Sequence, residues 1–202
     1  MKRVLAVILC LALLLLAGCS GGSDKDNSSS EEGNSIVSSG KIEGIDFGLG
    51  ADVATVKQHY LALAEEYKQN HTGEDGHNHG EEDEHFAYYD FTEKTDYSII
   101  DIADARFYYL NGQEDKGIAA IATDSAAFGF TPGVTTKYEV EEATEKEGET
   151  LNATEAELVF LAVRQEDVIL LRYEYDNYRL DYYFYDNMLI TTVLSDTDVW
   201  KL

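Results

Sequence analysis

The hydrophobic pattern of this 202-residue chain changes character twice. After a positive start, Met1-Lys2-Arg3, the stretch Val4 to Leu16 carries no charge. It is a run of roughly 13–15 residues, where a helix spanning a bilayer needs about 20. Ser20 to Gly40 is polar, with 12 Ser or Gly in 21 positions. That is the composition of a flexible linker, with an end-to-end distance of about 25 Å. From Lys41 the pattern becomes periodic. Val53, Val56, Tyr60, Leu63, Ala64 and Tyr67 recur three or four apart, predicting a helix over about 52–69 with Asp52 as its N-cap. His71 to His85 contains no apolar residue and reads as a loop. Strand-like runs follow at 86–91, 97–102, 105–110 and 118–123, with Asn111-Gly112 as a turn signal. Thr136 and Glu139 have capping-box spacing and predict a short helix to about Lys146. Further strands are expected at 157–163, 168–175, 179–185 and 188–195. Asp176-Asn177 and Asp186-Asn187 are turn pairs that make the last three an antiparallel meander. In it, Leu180, Tyr182 and Phe184 share one face, and Asp181, Tyr183 and Tyr185 the other.

The two halves of the patterned region correspond. The run Ile118 to Phe128 aligns without gaps on Ile190 to Trp200, keeping Ile/Val, Thr/Ser and Phe/Trp chemistry at matching places. Phe47-Gly48 before the first helix mirrors Phe128-Gly129 before the second. This predicts a duplication, with repeats over 41–128 and 129–202. The helix starts carry Gly133, Thr136, Glu139 and Val140 in one half and Gly50, Asp52 and Val56 in the other. In these residues the chain resembles the BLIP/SmpA superfamily, small helix-plus-sheet modules of β-lactamase inhibitor proteins and envelope lipoproteins. The Leu-Gly-x-Pro turn usual after the first helix of that family is absent from both halves. The resemblance implies a binding scaffold more readily than an enzyme.

Composition narrows the setting. The basic start, the short apolar run and the small residues Ala17 and Gly18 before a cysteine have the layout of a secretory signal. Leu16-Ala17-Gly18-Cys19 resembles the lipobox of bacterial lipoproteins. That resemblance implies cleavage after Gly18, diacylglycerol on the Cys19 thiol, and anchoring at the extracytoplasmic face of the bacterial cell membrane. Residues 1–18 are then the signal peptide and 19–40 the lipidated cysteine with its linker. The mature chain sets 13 basic residues against 39 acidic ones, a net charge of −26. Such a surface repels nucleic acid and concentrates cations. Cys10 falls in the signal and Cys19 at the lipid site, so the folded part has no thiol for disulfide, nucleophile or metal.

Two stretches are candidates for chemistry. His71, His77, His79 and His85 lie within 15 residues, interleaved with acids that include Glu81 and Glu82. Imidazole with carboxylate suits zinc and similar ions, so this loop is a candidate for weak, exchangeable divalent-metal binding. Tyr173, Tyr175, Tyr183 and Tyr185 belong to an aromatic cluster that is core packing, a binding face, or both. No Gly-x-Ser-x-Gly, His-Glu-x-x-His or phosphate-binding glycine loop occurs. The expectation is an α+β chain of two tandem helix-plus-antiparallel-sheet repeats, a lipid-anchored module that binds a protein or peptide partner. Metal capture is the alternative, and an enzyme acting on wall or peptide a more remote one.

Overall fold

The computed structural model describes residues 39–71 and 89–201. The signal run, Cys19, most of the linker, and His77, His79, Glu81, Glu82 and His85 lie outside the described residues. The elements, in chain order, are α1 (Val53–His71), β1 (Tyr89–Glu93), β2 (Tyr97–Ile102), β3 (Ala105–Leu110), β4 (Ala120–Thr123), α2 (Lys137–Ala143), β5 (Glu149–Asn152), α3 (Glu155–Phe160), β6 (Val168–Glu174), β7 (Tyr178–Tyr185) and β8 (Met188–Asp196). The fold is mixed α+β. All eight strands form one antiparallel sheet in the order β1-β2-β3-β4-β8-β7-β6-β5. Among the described residues no helix is long and apolar enough to cross a membrane.

Capping residues start the helices. Asp52 accepts the Thr55 N–H at 2.8 Å and begins α1. The Thr136 N–H donates to Glu139 Oε2 at 2.7 Å, closing the capping box of α2. Val56 and Val140 each stand four residues past the cap, and both are fully buried in the same apolar cluster. The segment expected as a strand at 157–163 is instead α3. Its apolar run resembles a buried strand, but Thr154 and Glu157 form a second capping box that commits the backbone to a helical turn. β5 carries no hydrophobic alternation that would announce a strand, because Glu-Thr-Leu-Asn is short and polar.

Side chains alternate between the two sheet faces. One face buries Ile100, Phe107, Ile121, Tyr173, Leu180 and Leu194 against Val53 and Val56 of α1 and Val140 of α2. The other buries Tyr108, Leu170, Tyr183 and Val193 against Phe160 of α3 and against Trp200. α3 is also held by charge. Arg172 donates through Nε and Nη2 to the two carboxylate oxygens of Asp181, at 2.9 Å each, and through Nη2 to Glu157 of α3 at 3.1 Å. Arg106 donates to the Leu161 carbonyl just beyond α3.

The strand order reads the same from either edge about the β4–β8 junction, and so does the register. Moving along the chain by 73 residues, from Ile100 to Tyr173, turns the pair Ile100↔Phe107 into Tyr173↔Leu180. The same step turns Phe107↔Ile121 into Leu180↔Leu194. Ile121 and Leu194, themselves 73 residues apart, pair with each other. The pairings of β2, β3 and β4 are thus related to those of β6, β7 and β8 by a local two-fold axis through Ile121 and Leu194. The gapless alignment of Ile118 on Ile190 is one residue out of step with this relation. It matches Ile121 to Val193, which faces the opposite side of the sheet. Thr191 and Leu189 pair successive residues of β7, so Ile190 is the extra residue of a bulge.

Candidate functional site

A cleft of about 470 Å³ opens on the α1 face of the first half, at the β2–β3 turn. The segment 43–47, His59 of α1, the turn at Ala103-Asp104, and Thr123, Ser125 and Ala126 line it. Its floor is apolar: Phe47 meets Phe107 edge-on with ring centroids 6.0 Å apart, and Ile102 and Ala105 complete it. Phe47 also meets the His59 ring edge-on at 5.2 Å. Its rim is acidic, with Glu43, Asp46 and Asp104 all exposed. Among the described residues no lysine or arginine lines it. His59 Nε2 stands 3.7 Å from Asp46 Oδ2, too far for a direct hydrogen bond but within ion-pair range when the imidazole is protonated.

The rim is fixed from below. The Thr123 hydroxyl donates to the Asp104 carbonyl at 2.7 Å and accepts the Ser125 N–H at 3.1 Å, tying the β2–β3 turn to the loop after β4. On the other face, Arg106 holds Asp124 at 2.9 Å. Asp101, paired with Arg106 in the ladder and flanked by Asp90 and Asp124, has its carboxyl pushed up to about 6. Burial is the main cause; Arg106 opposes it, and the two neighbouring carboxylates add to it.

The corner related by the 73-residue step is filled. Tyr175 stands where the first half has Ile102, and Tyr178 where it has Ala105. Gly40 lies so close to the Tyr178 ring that a β-carbon on it would meet that ring at 3.4 Å. The Lys146 ammonium lies 4.5 Å over the Tyr175 ring and donates to the Glu174 carbonyl. Two rings and a lysine thus occupy the second corner, where the smaller side chains of Ile102 and Ala105 leave the first one open.

The four predicted tyrosines do not converge. Tyr173 is buried against Tyr182, with ring centroids 6.0 Å apart, on the face that carries α1 and α2. Tyr183 is buried on the other face, in the apolar cluster that includes Phe160 and Trp200. Tyr175 is half-buried beneath Lys146, and Tyr185 is exposed at the end of β7. The four tyrosines therefore form no common exposed surface, because the β6–β7 register sends Tyr173 and Tyr183 to opposite faces. His71 is the last residue of α1. Among the described residues no group of three metal-ligating side chains is found. No family model, curated protein or solved structure matches this chain.

Proposed function

We propose that this chain is a lipid-anchored, extracytoplasmic binding module for a protein or peptide partner, without enzymatic chemistry of its own, built from two related helix-plus-sheet repeats. The observation that carries the reading is the sheet itself. Its strand order and its pairings repeat about Ile121↔Leu194, and it presents an open cleft whose rim is tied by Thr123. The equivalent capping of α1 and α2, each followed by a buried valine, supports the duplication further. The signal-like start and Cys19 supply the anchor. A photo-crosslinking residue at Ser125, on the cleft, tests the reading in cells that make the full chain. A discrete adduct, competed by excess unlabelled protein and absent when the probe replaces exposed Val159 on α3, is the expected result. Absence of any adduct refutes the module. Cys19→Ala is expected to release the protein from the membrane fraction, and unchanged retention contradicts the anchor.

Four histidines within 15 residues among acids support a second role in capturing a divalent ion. Zinc added to the full chain is expected to bind reversibly, and to cease binding when His71, His77, His79 and His85 are all replaced by Ala. Retention of zinc by that variant removes this role.

A further inference from the structure

The geometry points to a lysine- or arginine-bearing segment of the partner as the occupant of the first-half cleft, the cationic side chain lying on its apolar floor beneath the acidic rim. This rests on the binding-module reading and names the partner's chemistry. Two observations carry it. The first is complementarity. An aromatic and aliphatic floor of Phe47, Phe107 and Ile102 suits the methylene stem of a long basic side chain, while Glu43, Asp46 and Asp104 suit its charged end. No lysine or arginine of the described residues fills this role within the cleft.

The second observation is internal. At the corner related by the 73-residue step, the chain places a lysine of its own. Lys146 lies over the ring that replaces Ile102 and donates to the carbonyl of Glu174, the counterpart of Asp101. The second corner is thus closed by rings and an internal ammonium, and the first is left open, with the acids in place and no lysine or arginine of the described residues over its floor. A peptide rather than a free amine suits a cleft that runs from the 43–47 segment to the 123–126 loop, because a backbone can follow the rim while one side chain enters.

The test uses the full chain in detergent micelles and an acetylated, amidated Ala-Lys-Ala-Lys-Ala peptide. Its glutamate counterpart and spermine serve as comparison probes. Binding is followed by the ring-proton signals of His59 and by calorimetry at low salt. The lysine peptide is expected to bind and to shift His59, and the glutamate peptide to do neither. The Asp46→Asn/Asp104→Asn pair is expected to weaken binding at least about tenfold, against under about twofold for Glu66→Gln/Glu166→Gln, which removes the same charge elsewhere. Ile102→Tyr, which copies Tyr175 and alters no charge, is expected to weaken it similarly. Its folding is checked by the fluorescence of Trp200, and the Asp46/Asp104 pair carries the test if Ile102→Tyr does not fold. Equal losses in the two charge pairs would reduce the effect to the overall acidity of the chain and overturn the inference. So would a correctly folded Ile102→Tyr that binds normally. Spermine binding at His59 without peptide binding would replace the peptide by a small polyamine. A partner crosslinked at Ser125 that is indifferent to these substitutions would remove the lysine and leave the binding module standing.

Discussion

Asp181 offers the sharpest test of how the second half is held together. Its side chain is 1% exposed, and it faces Arg172 in a two-pronged hydrogen-bonded pair with both distances at 2.9 Å. Arg179 Nε stands 3.1 Å from its other flank. Replacing Asp181 with Leu leaves two guanidinium groups, 15% and 12% exposed, facing an apolar side chain. Breaking one partner of a buried pair costs about 3–5 kcal/mol. Glu157 remains 3.1 Å from Arg172 and keeps part of its charge compensated, so the lower end, about 3 kcal/mol, is expected. The intact pair is not itself a large net stabiliser. Burial raises the Asp181 carboxyl above its usual value despite both arginines. A carboxyl raised in the folded state favours the fold while protonated, and that contribution is lost as pH rises through the folded value. The double variant Arg172→Met/Asp181→Leu removes one of the two guanidinium groups left facing Leu and is expected to recover part of the loss, Arg179 and Glu157 having still lost Asp181 and Arg172. Urea unfolding followed by Trp200, the single tryptophan and one packed 5.1 Å from the Phe160 ring of α3, reports the relevant end of the sheet. A single-variant cost under about 1 kcal/mol, or a double variant no better than the single, would refute the account.

Other consequences follow from the same packing. Asp101, raised to about 6 from an unfolded value of 3.8, favours the fold below about pH 4 and progressively opposes it as pH rises to about 6. Asp101→Asn should remove that part of the pH dependence and stabilise the protein at pH 7 by about 1–2 kcal/mol, the carboxyl being partly screened by solvent, read from urea midpoints across pH; a variant that keeps the parent's pH profile contradicts the assignment. Thr192 is fully buried, and its hydroxyl has no hydrogen-bond partner among the described residues. Thr192→Val keeps the shape and is expected to add about 1 kcal/mol, or roughly 2–4 °C in Tm; a lower Tm would mean that the hydroxyl is bonded after all. Thr154→Ala opens the capping box of α3 and is expected to cost about 1 kcal/mol in urea unfolding, with no change meaning that tertiary contacts alone hold the helix.

What the sequence disclosed, and what it hid, divides along the difference between local and non-local causes. The β7–β8 hairpin was legible because its cause is local. Asp186 and Asn187 adopt the left-handed φ values of 49° and 65° that a tight two-residue turn needs, and residues of this type tolerate them. α1 and α2 were legible from their caps and from the spacing of Val53 and Val56. α3 was misread because a run from Glu157 to Val163 satisfies strand and helix equally over so few residues, and the decisive Thr154 lies outside it. The cleft could not be read at all. It exists because Ala105 and Ile102 stand where the other half has Tyr178 and Tyr175, and that comparison requires the correct register. An alignment of side-chain types alone favours a step of 72, because Ile118 and Ile190 are identical; the strand pairings keep a step of 73 from β2 and β6 through to β4 and β8. One residue of slip exchanges the two faces of a sheet, so it also hides which side chains fill a corner and which leave it empty. The chemistry of the candidate site therefore lies less in any residue it contains than in two rings that it lacks.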